Sequence, residues 1–223
     1  KVEEVDSQTD AWVMERFLIG VSGRSLAPGL CGKRISRKTG FYGVAAMLEG
    51  MSLETVKKVA ERVFTLGSDY YKPWLEYAFV DDSCKFSEAI QAMREWADIY
   101  LLSASFHFLA QESALHLGLS PSIAQGSELE IREGRYTGKV AFSTYKKKAV
   151  VARHMMTKPA LFAFGDSLTS DFGFMREALG VSFMMNPSEA MMAKNKAELQ
   201  SRMVELRVSS KPATQKTISC RGY

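Results

Sequence analysis

Two aspartates, Asp166 and Asp171, lie in the segment Gly165-Asp166-Ser167-Leu168-Thr169-Ser170-Asp171. A carboxylate pair just past the end of a buried strand can hold a hard cation through oxygen. Mg2+ bound by one or two carboxylates together with substrate oxygens is the common arrangement for phosphoryl transfer. A second candidate is the lysine run before the apolar stretch, with Lys148 preferred and Lys146 and Lys147 as competitors. A fixed ammonium about 4 Å from a phosphate oxygen is worth on the order of 4 kcal/mol at an effective dielectric near 20. The third is Ser103-Ala104-Ser105, able to offer a hydroxyl and the following backbone N–H groups to an oxyanion such as phosphate. Plainer readings stand beside each. Asp166 can cap a helix starting near Phe172, Ser103 can be a helix N-cap, and three lysines in a row can be solvated surface.

These groups need a frame. Pro159 introduces Ala160-Leu161-Phe162-Ala163-Phe164, which reads as a short strand buried on both faces and ended by Gly165. Residues 99–102 read as a strand ending on Ser103, with a helix over 108–117 closed by Gly118. Strand, hydroxyl-bearing turn and helix come first; strand, acidic turn and helix come later. Two such units predict an α/β protein with a doubly wound parallel sheet. Between them residues 128–139 alternate around Glu133-Gly134 as a hairpin, and residues 146–156 form a basic-faced helix. A helix over 172–179 stopped by Gly180 and a strand over 181–185 follow the acidic turn.

The first third reads as helical. Trp12, Val13, Phe17 and Leu18 have helical spacing, residues 22–38 form a loop, and residues 41–48 form a helix stopped by Gly50. Ser52 then caps a helix running to about residue 66, and Tyr70, Tyr71, Trp74, Tyr77 and Phe79 suit a further helix over 69–79. The basic cluster Arg24, Lys33, Arg34, Arg37 and Lys38 fits a solvated face. The polar tail from Ser209 reads as loose.

A formal charge of +4, spread along 223 residues without a basic stripe, argues against nucleic acid. Cys31, Cys84 and Cys220 are few, odd in number and far apart, which fits a reducing, cytoplasmic compartment better than a disulfide framework. No apolar run approaches the ~20 residues of a membrane span, so no membrane partner is expected. His107, His116 and His154 do not cluster at ligand spacing, and the pairs Met155-Met156, Met184-Met185 and Met191-Met192 read as core filler.

Taken in order, the segments resemble the haloacid dehalogenase superfamily of phosphohydrolases, in the branch that includes phosphoserine phosphatase. Ser103-Ala104-Ser105 looks like that family's second motif, Lys148-Ala149 like its third, and the segment from Gly165 to Asp171 like its fourth. Gly134-Arg135-Tyr136-Thr137-Gly138-Lys139, after Gly118-Leu119-Ser120, looks like the stretch this branch carries between its second and third motifs. The resemblance implies a Rossmann-like core over 83–208, a helical cap inserted over 11–82, a loose tail over 209–223, Mg2+ as cofactor, and hydrolysis of a small-molecule phosphomonoester through an aspartyl-phosphate. Ser103 and Ala104 would then bind the phosphoryl group and Lys148 would neutralise it. Asp166 would ligate the metal, and Asp171 would support the metal shell or orient Lys148, so that Lys148 and Asp171 are the catalytic candidates. The family's first motif, Asp-x-Asp-Gly-Thr after an apolar strand, supplies the nucleophile and is absent from this sequence. Asp6-Ser7 looks instead like the Asp-Ser that follows that motif. The sequence thus reads either as lacking its first strand, the favoured expectation, or as a relative that binds without catalysis. A dehalogenase or phosphotransferase on the same scaffold is a third reading.

Overall fold

The structure is a computed structural model, and it describes residues 37–66, 77–79, 86–185, 187, 189, 203–206 and 208–212. The expectations for residues 10–20, for Arg24, Lys33 and Arg34, for Tyr70, Tyr71 and Trp74, for the three cysteines, for Asp6 and for Met191-Met192 lie outside the described residues.

Helix α1 (Arg37–Met47) leads through Gly50 into α2 (Leu53–Leu66), so the helix expected from residue 41 already includes Arg37 and Lys38. The start of α2 is fixed as the sequence predicts: the Thr55 amide donates to Ser52 Oγ at 3.1 Å, satisfying one of the free N–H groups of the first turn. Next come β1 (Tyr77–Phe79) and α3 (Phe86–Met93). Residues 77–79 are therefore extended, not helical. Their pairing partner is distant in sequence: β1 runs antiparallel to β8 (Val208–Pro212), so the start of the expected loose tail is a strand.

The central part is a strand–helix–strand unit. Strand β2 (Leu101–Phe106) runs into α4 (His107–His116), and β3 (Ala124–Arg132) returns parallel to β2. Strand β4 (Arg135–Phe142) then folds back antiparallel on β3. The connecting pair Glu133-Gly134 has φ of 50° and 73°, the left-handed conformation at both central residues that a tight hairpin turn demands. Helix α4 separates two apolar clusters. Leu109 joins Phe106, Leu129 and Tyr136 against Val44, Leu48, Val56 and Phe64 of the first two helices and the turn between them. On the other side Ala110 and Ala114 meet Ile90, Leu117 and Leu119. Residues 37–66, within the expected cap, thus share an apolar core with this sheet.

The last part is a second sheet. Helix α5 (Lys148–Met155), strand β5 (Ala163–Gly165), helix α6 (Phe172–Met175), strand β6 (Ser182–Met185) and strand β7 (Met203–Leu206) complete the described elements, with β5, β6 and β7 all parallel. Among the described residues Ala163, Met184, Met175 and Ala178 form its buried apolar cluster. The fold is α/β with parallel strands, as expected, but among the described residues β2-β3-β4 and β5-β6-β7 are two separate three-stranded sheets. A further expectation is corrected by this sheet. The stretch 160–164 is not buried on both faces: β5 stands at one edge of its described sheet, only Ala163 is buried, and Leu161, Phe162 and Phe164 are exposed. Phe164 stacks on Phe183 at 4.8 Å, and Phe162 meets Trp96 edge-on at 6.3 Å, so these rings pack on one another instead of entering the core.

Candidate active site

The acidic turn after β5 is organised by Asp171. This residue is 2% exposed, and each of its carboxylate oxygens has two donors. Oδ1 accepts from Lys148 Nζ at 2.6 Å and from Ser170 Oγ at 2.7 Å. Oδ2 accepts from the amides of Asp166 at 3.0 Å and Ser167 at 3.2 Å. Four donors match the roughly four acceptor sites of a carboxylate. Asp171 stands at the N-cap position of α6 yet makes no cap bond with its side chain, which turns back onto the loop. Asp166 does not cap α6 either. The segment is a turn, with the Asp171 amide donating to the Ser167 carbonyl at 2.8 Å, but the capping role expected of Asp166 is not seen among the described residues.

Gly165 is what allows the approach. A Cβ there would lie 2.7 Å from Asp171 Cβ and 2.6 Å from Met175 Sδ, distances that no side chain tolerates without displacement of the turn. Burial pushes the Asp171 carboxyl up, but the adjacent Lys148 ammonium and the Ser170 hydroxyl outweigh it and hold it below its ordinary value. Asp166 shifts the other way. It is exposed as a residue, yet its carboxyl is crowded by protein atoms; burial first, and then the charge of Asp171, raise it.

Lys148 is set apart from its neighbours by burial. It is 8% exposed, and its ammonium lies 5.9 Å from the centre of the Phe174 ring. Lys146 and Lys147 are exposed and lie over the rings of Tyr145 and Phe142. An ammonium has three N–H donors. One is given to Asp171, which leaves two on a buried cation without a hydrogen-bond partner among the described residues.

Ser103 is placed differently from the expectation. It lies inside β2 and not after it, where the register slips between Leu102 and Phe106. Its hydroxyl accepts from the Ser105 amide at 3.0 Å, and its carbonyl accepts from Thr144 Oγ1. Thr144 stands four residues before Lys148, and its own carbonyl accepts from the Lys147 amide at 2.8 Å, so Ser103 is tied to the turn that launches α5. The Ala104 carbonyl accepts from Ser127 Oγ at 3.0 Å. The structure thus brings Lys148, Asp166 and Asp171 together and links Ser103 and Ala104 to the start of α5 through Thr144 and Ser127. Ser170, Thr144 and Ser127 were not legible as site residues. Hydroxyls in polar turns carry no spacing signal, and the partners of Thr144 and Ser127 are remote in sequence.

The donor set bears on the metal expectation. Among the described residues no three His, Cys, Asp or Glu side chains could together hold a metal ion. With Asp171 fully engaged, Asp166 is the carboxylate of the pair left to offer oxygen. A single carboxylate with water and phosphate oxygens suits Mg2+, which keeps several waters and is seldom caged by protein alone.

His107 accepts from the Gly126 amide through Nδ1 at 3.3 Å, while His154 Nδ1 lies 3.1 Å from the Val150 carbonyl of its own helix, so each ring is engaged with backbone away from the acidic turn. Among the described residues no helix is long and apolar enough to cross a membrane.

No protein-family model matches the chain, and no curated protein matches it. Solved structures do. A protein with unknown function from Bordetella pertussis Tohama I is 16% identical, with a TM-score of 0.53 over 87% of this chain and 91% of that one. A probable phosphoserine phosphatase from Vibrio cholerae is 17% identical, with a TM-score of 0.46 over 82% of this chain and 49% of that one. A phosphoserine phosphatase captured as a phospho-aspartyl intermediate analogue is 15% identical, with a TM-score of 0.46 over 84% and 80%. The chain spans about half the length of the Vibrio protein. The likeness to the Bordetella protein is one of fold, an α/β arrangement shared across nearly the whole of both chains.

Proposed function

We propose that this chain carries the phosphate-binding half of a Mg2+-dependent phosphomonoester hydrolase of the haloacid dehalogenase type. The observation that carries the reading is Lys148: a buried ammonium, aimed by Asp171, with two N–H groups that have no hydrogen-bond partner among the described residues, beside the raised carboxyl of Asp166. A phosphate that brings a cation answers both features. A phosphoryl oxygen satisfies the idle donors, and a cation on Asp166 relieves the like-charge crowding. Mg2+ would neutralise phosphoryl oxygens there. Lys148 binds and orients the phosphoryl group, the bulge at Ser103 and Ala104 offers its hydroxyl and amides from β2, and Asp171 holds Lys148 in place. Of the two roles open to Asp171, orienting Lys148 is the one its filled oxygens favour.

Hydrolysis through an aspartyl-phosphate needs a carboxylate nucleophile on a rigid element beside this cluster. The test joins the chain to an upstream strand bearing Asp-x-Asp and follows hydrolysis of an aryl phosphate with Mg2+. Turnover that Asp166→Asn abolishes supports the reading; no turnover by the joined protein overturns it. A second reading, a module that binds phosphate without turning it over, is favoured by one fact: Asp-x-Asp-Gly-Thr is absent from the sequence. Phosphate binding with no hydrolysis in either form selects that one.

A further inference from the structure

Two buried hydroxyls meet at the β2 bulge. Ser127 and Thr144 are both 0% exposed, and their oxygens lie 3.1 Å apart. Each hydroxyl has one proton to give. Thr144 gives its proton to the Ser103 carbonyl, and Ser127 gives its proton to the Ala104 carbonyl at 3.0 Å. The two hydroxyls are also within hydrogen-bonding distance of each other, with either able to donate, and the Thr144 amide donates to Ser127 Oγ at 3.1 Å. Two successive carbonyls of the β2 bulge are therefore clamped by two side chains, one from β3 and one from the loop after β4. The clamp continues into the lysine helix, since the Lys147 amide donates to the Thr144 carbonyl at 2.8 Å.

We propose that Ser127 and Thr144 are positioning residues that set the Ser103 bulge against the start of α5, and so fix the distance from the Ser103 hydroxyl and amides to the Lys148 ammonium. The inference rests on the reading of Ser103 and Lys148 as phosphate-binding groups. Neither Ser127 nor Thr144 touches the anion. They act by holding carbonyls away from it: with both oxygens occupied by protein donors, the bulge keeps its carbonyls on the side of Ser127 and Thr144. Such orientation is what an anion site needs, because a carbonyl turned toward phosphate repels it. A plain packing role for the pair would make a different demand, the filling of a buried space, which valine in place of threonine meets.

That difference gives the test. Thr144→Val keeps the shape and removes the proton given to Ser103; Thr144→Ser restores the proton and loses a methyl. The proposal expects inorganic phosphate with Mg2+ to bind Thr144→Val about tenfold more weakly than the native chain, as for one lost hydrogen bond to a binding element, with Thr144→Ser restoring most of it. Amide hydrogen exchange provides a second readout that needs no ligand. Thr144→Val should speed exchange at the amides of Ser105 and Lys147 together, with protection in α1 and α2 unchanged. Unaltered exchange at those two amides, or a loss of protection spread evenly through the chain, overturns the proposal whether or not phosphate binds. Absence of phosphate binding by the native chain instead strikes the functional reading, and the exchange result then decides the positioning role alone.

Discussion

Two acids are buried among the described residues, and they are buried in opposite ways. Glu112 on α4 is 4% exposed, with no hydrogen bond to its carboxyl among the described residues; burial and then the charge of Glu61 raise it, and Lys57 offsets only part. Asp171 is 2% exposed with four donors, and its carboxyl is held below the ordinary value. Exposure is nearly the same, so partners decide the sign. The regions around them differ to match. The sheet β2-β3-β4 is held by a large apolar cluster reaching from Val44 to Tyr136, and can carry one uncompensated acid. Among the described residues the sheet β5-β6-β7 has four buried apolar residues and exposed aromatics beside it, and the polar turn at the end of β5 is its densest hydrogen-bonded feature.

Removing the partner is the harshest way to probe that contrast. Lys148→Met leaves Asp171 buried without its cation and should cost about 3–5 kcal/mol, read by denaturant unfolding. Hydrogen exchange should place that loss in β5 and β6 before β2 and β3; a uniform loss would dissolve the distinction between the two sheets. Gly165→Ala forces a Cβ against Asp171 and Met175 and should cost about 1–3 kcal/mol in the same assay. On the other side, Glu112→Met exchanges an unpaired acid for an apolar chain of similar length and should stabilise the protein by on the order of 1 kcal/mol at neutral pH.

The pH dependence sharpens the same contrast. Glu112 has its folded value raised, so the stability it contributes is complete below its unfolded value of about 4.3 and is lost as pH rises through the folded one. Asp171 has its folded value lowered, so its contribution is complete above about 3.9 and is lost as pH falls through the folded one. Glu112→Met should therefore gain most at neutral pH and little at pH about 4, in melting curves recorded across that range. The smallest effect belongs to the exposed aliphatics: Leu161→Ser should change stability by no more than about 0.5 kcal/mol, since a side chain 56% exposed carries little burial energy.

What could be read from the sequence was what is decided locally. The cap at Ser52 and the hairpin at Glu133-Gly134 depend on residues within three or four positions, and both are where the spacing puts them. Lys148 stands at the start of its helix, and its burial there separates it from the exposed Lys146 and Lys147. Features decided at long range were not legible. The strand at residues 77–79 exists because it pairs with residues 208–212, and aromatic spacing there matched a helix equally well. The stretch 160–164 has a composition suited to burial on both faces, but coverage is supplied by other elements, and here Leu161, Phe162 and Phe164 lack it. Asp171 has two roles open to it in the sequence, support of a metal shell or orientation of Lys148, and the side chains and amides that fill its oxygens, Lys148 among them, are placed by the fold.

The central proposal is that Lys148 and Asp166, with Ser103 on β2 linked to the start of α5 through Thr144, receive a phosphate with a divalent cation. Calorimetric titration of inorganic phosphate into the native chain, with and without Mg2+, tests it against Asp166→Asn and Ser103→Ala, two changes that remove neither member of the Lys148–Asp171 pair. The account predicts Mg2+-dependent binding by the native chain, loss of the Mg2+ dependence in Asp166→Asn and weaker binding in Ser103→Ala, with melting temperatures no lower for Asp166→Asn. Phosphate binding that is absent from the native chain, or identical in all three proteins, would contradict it.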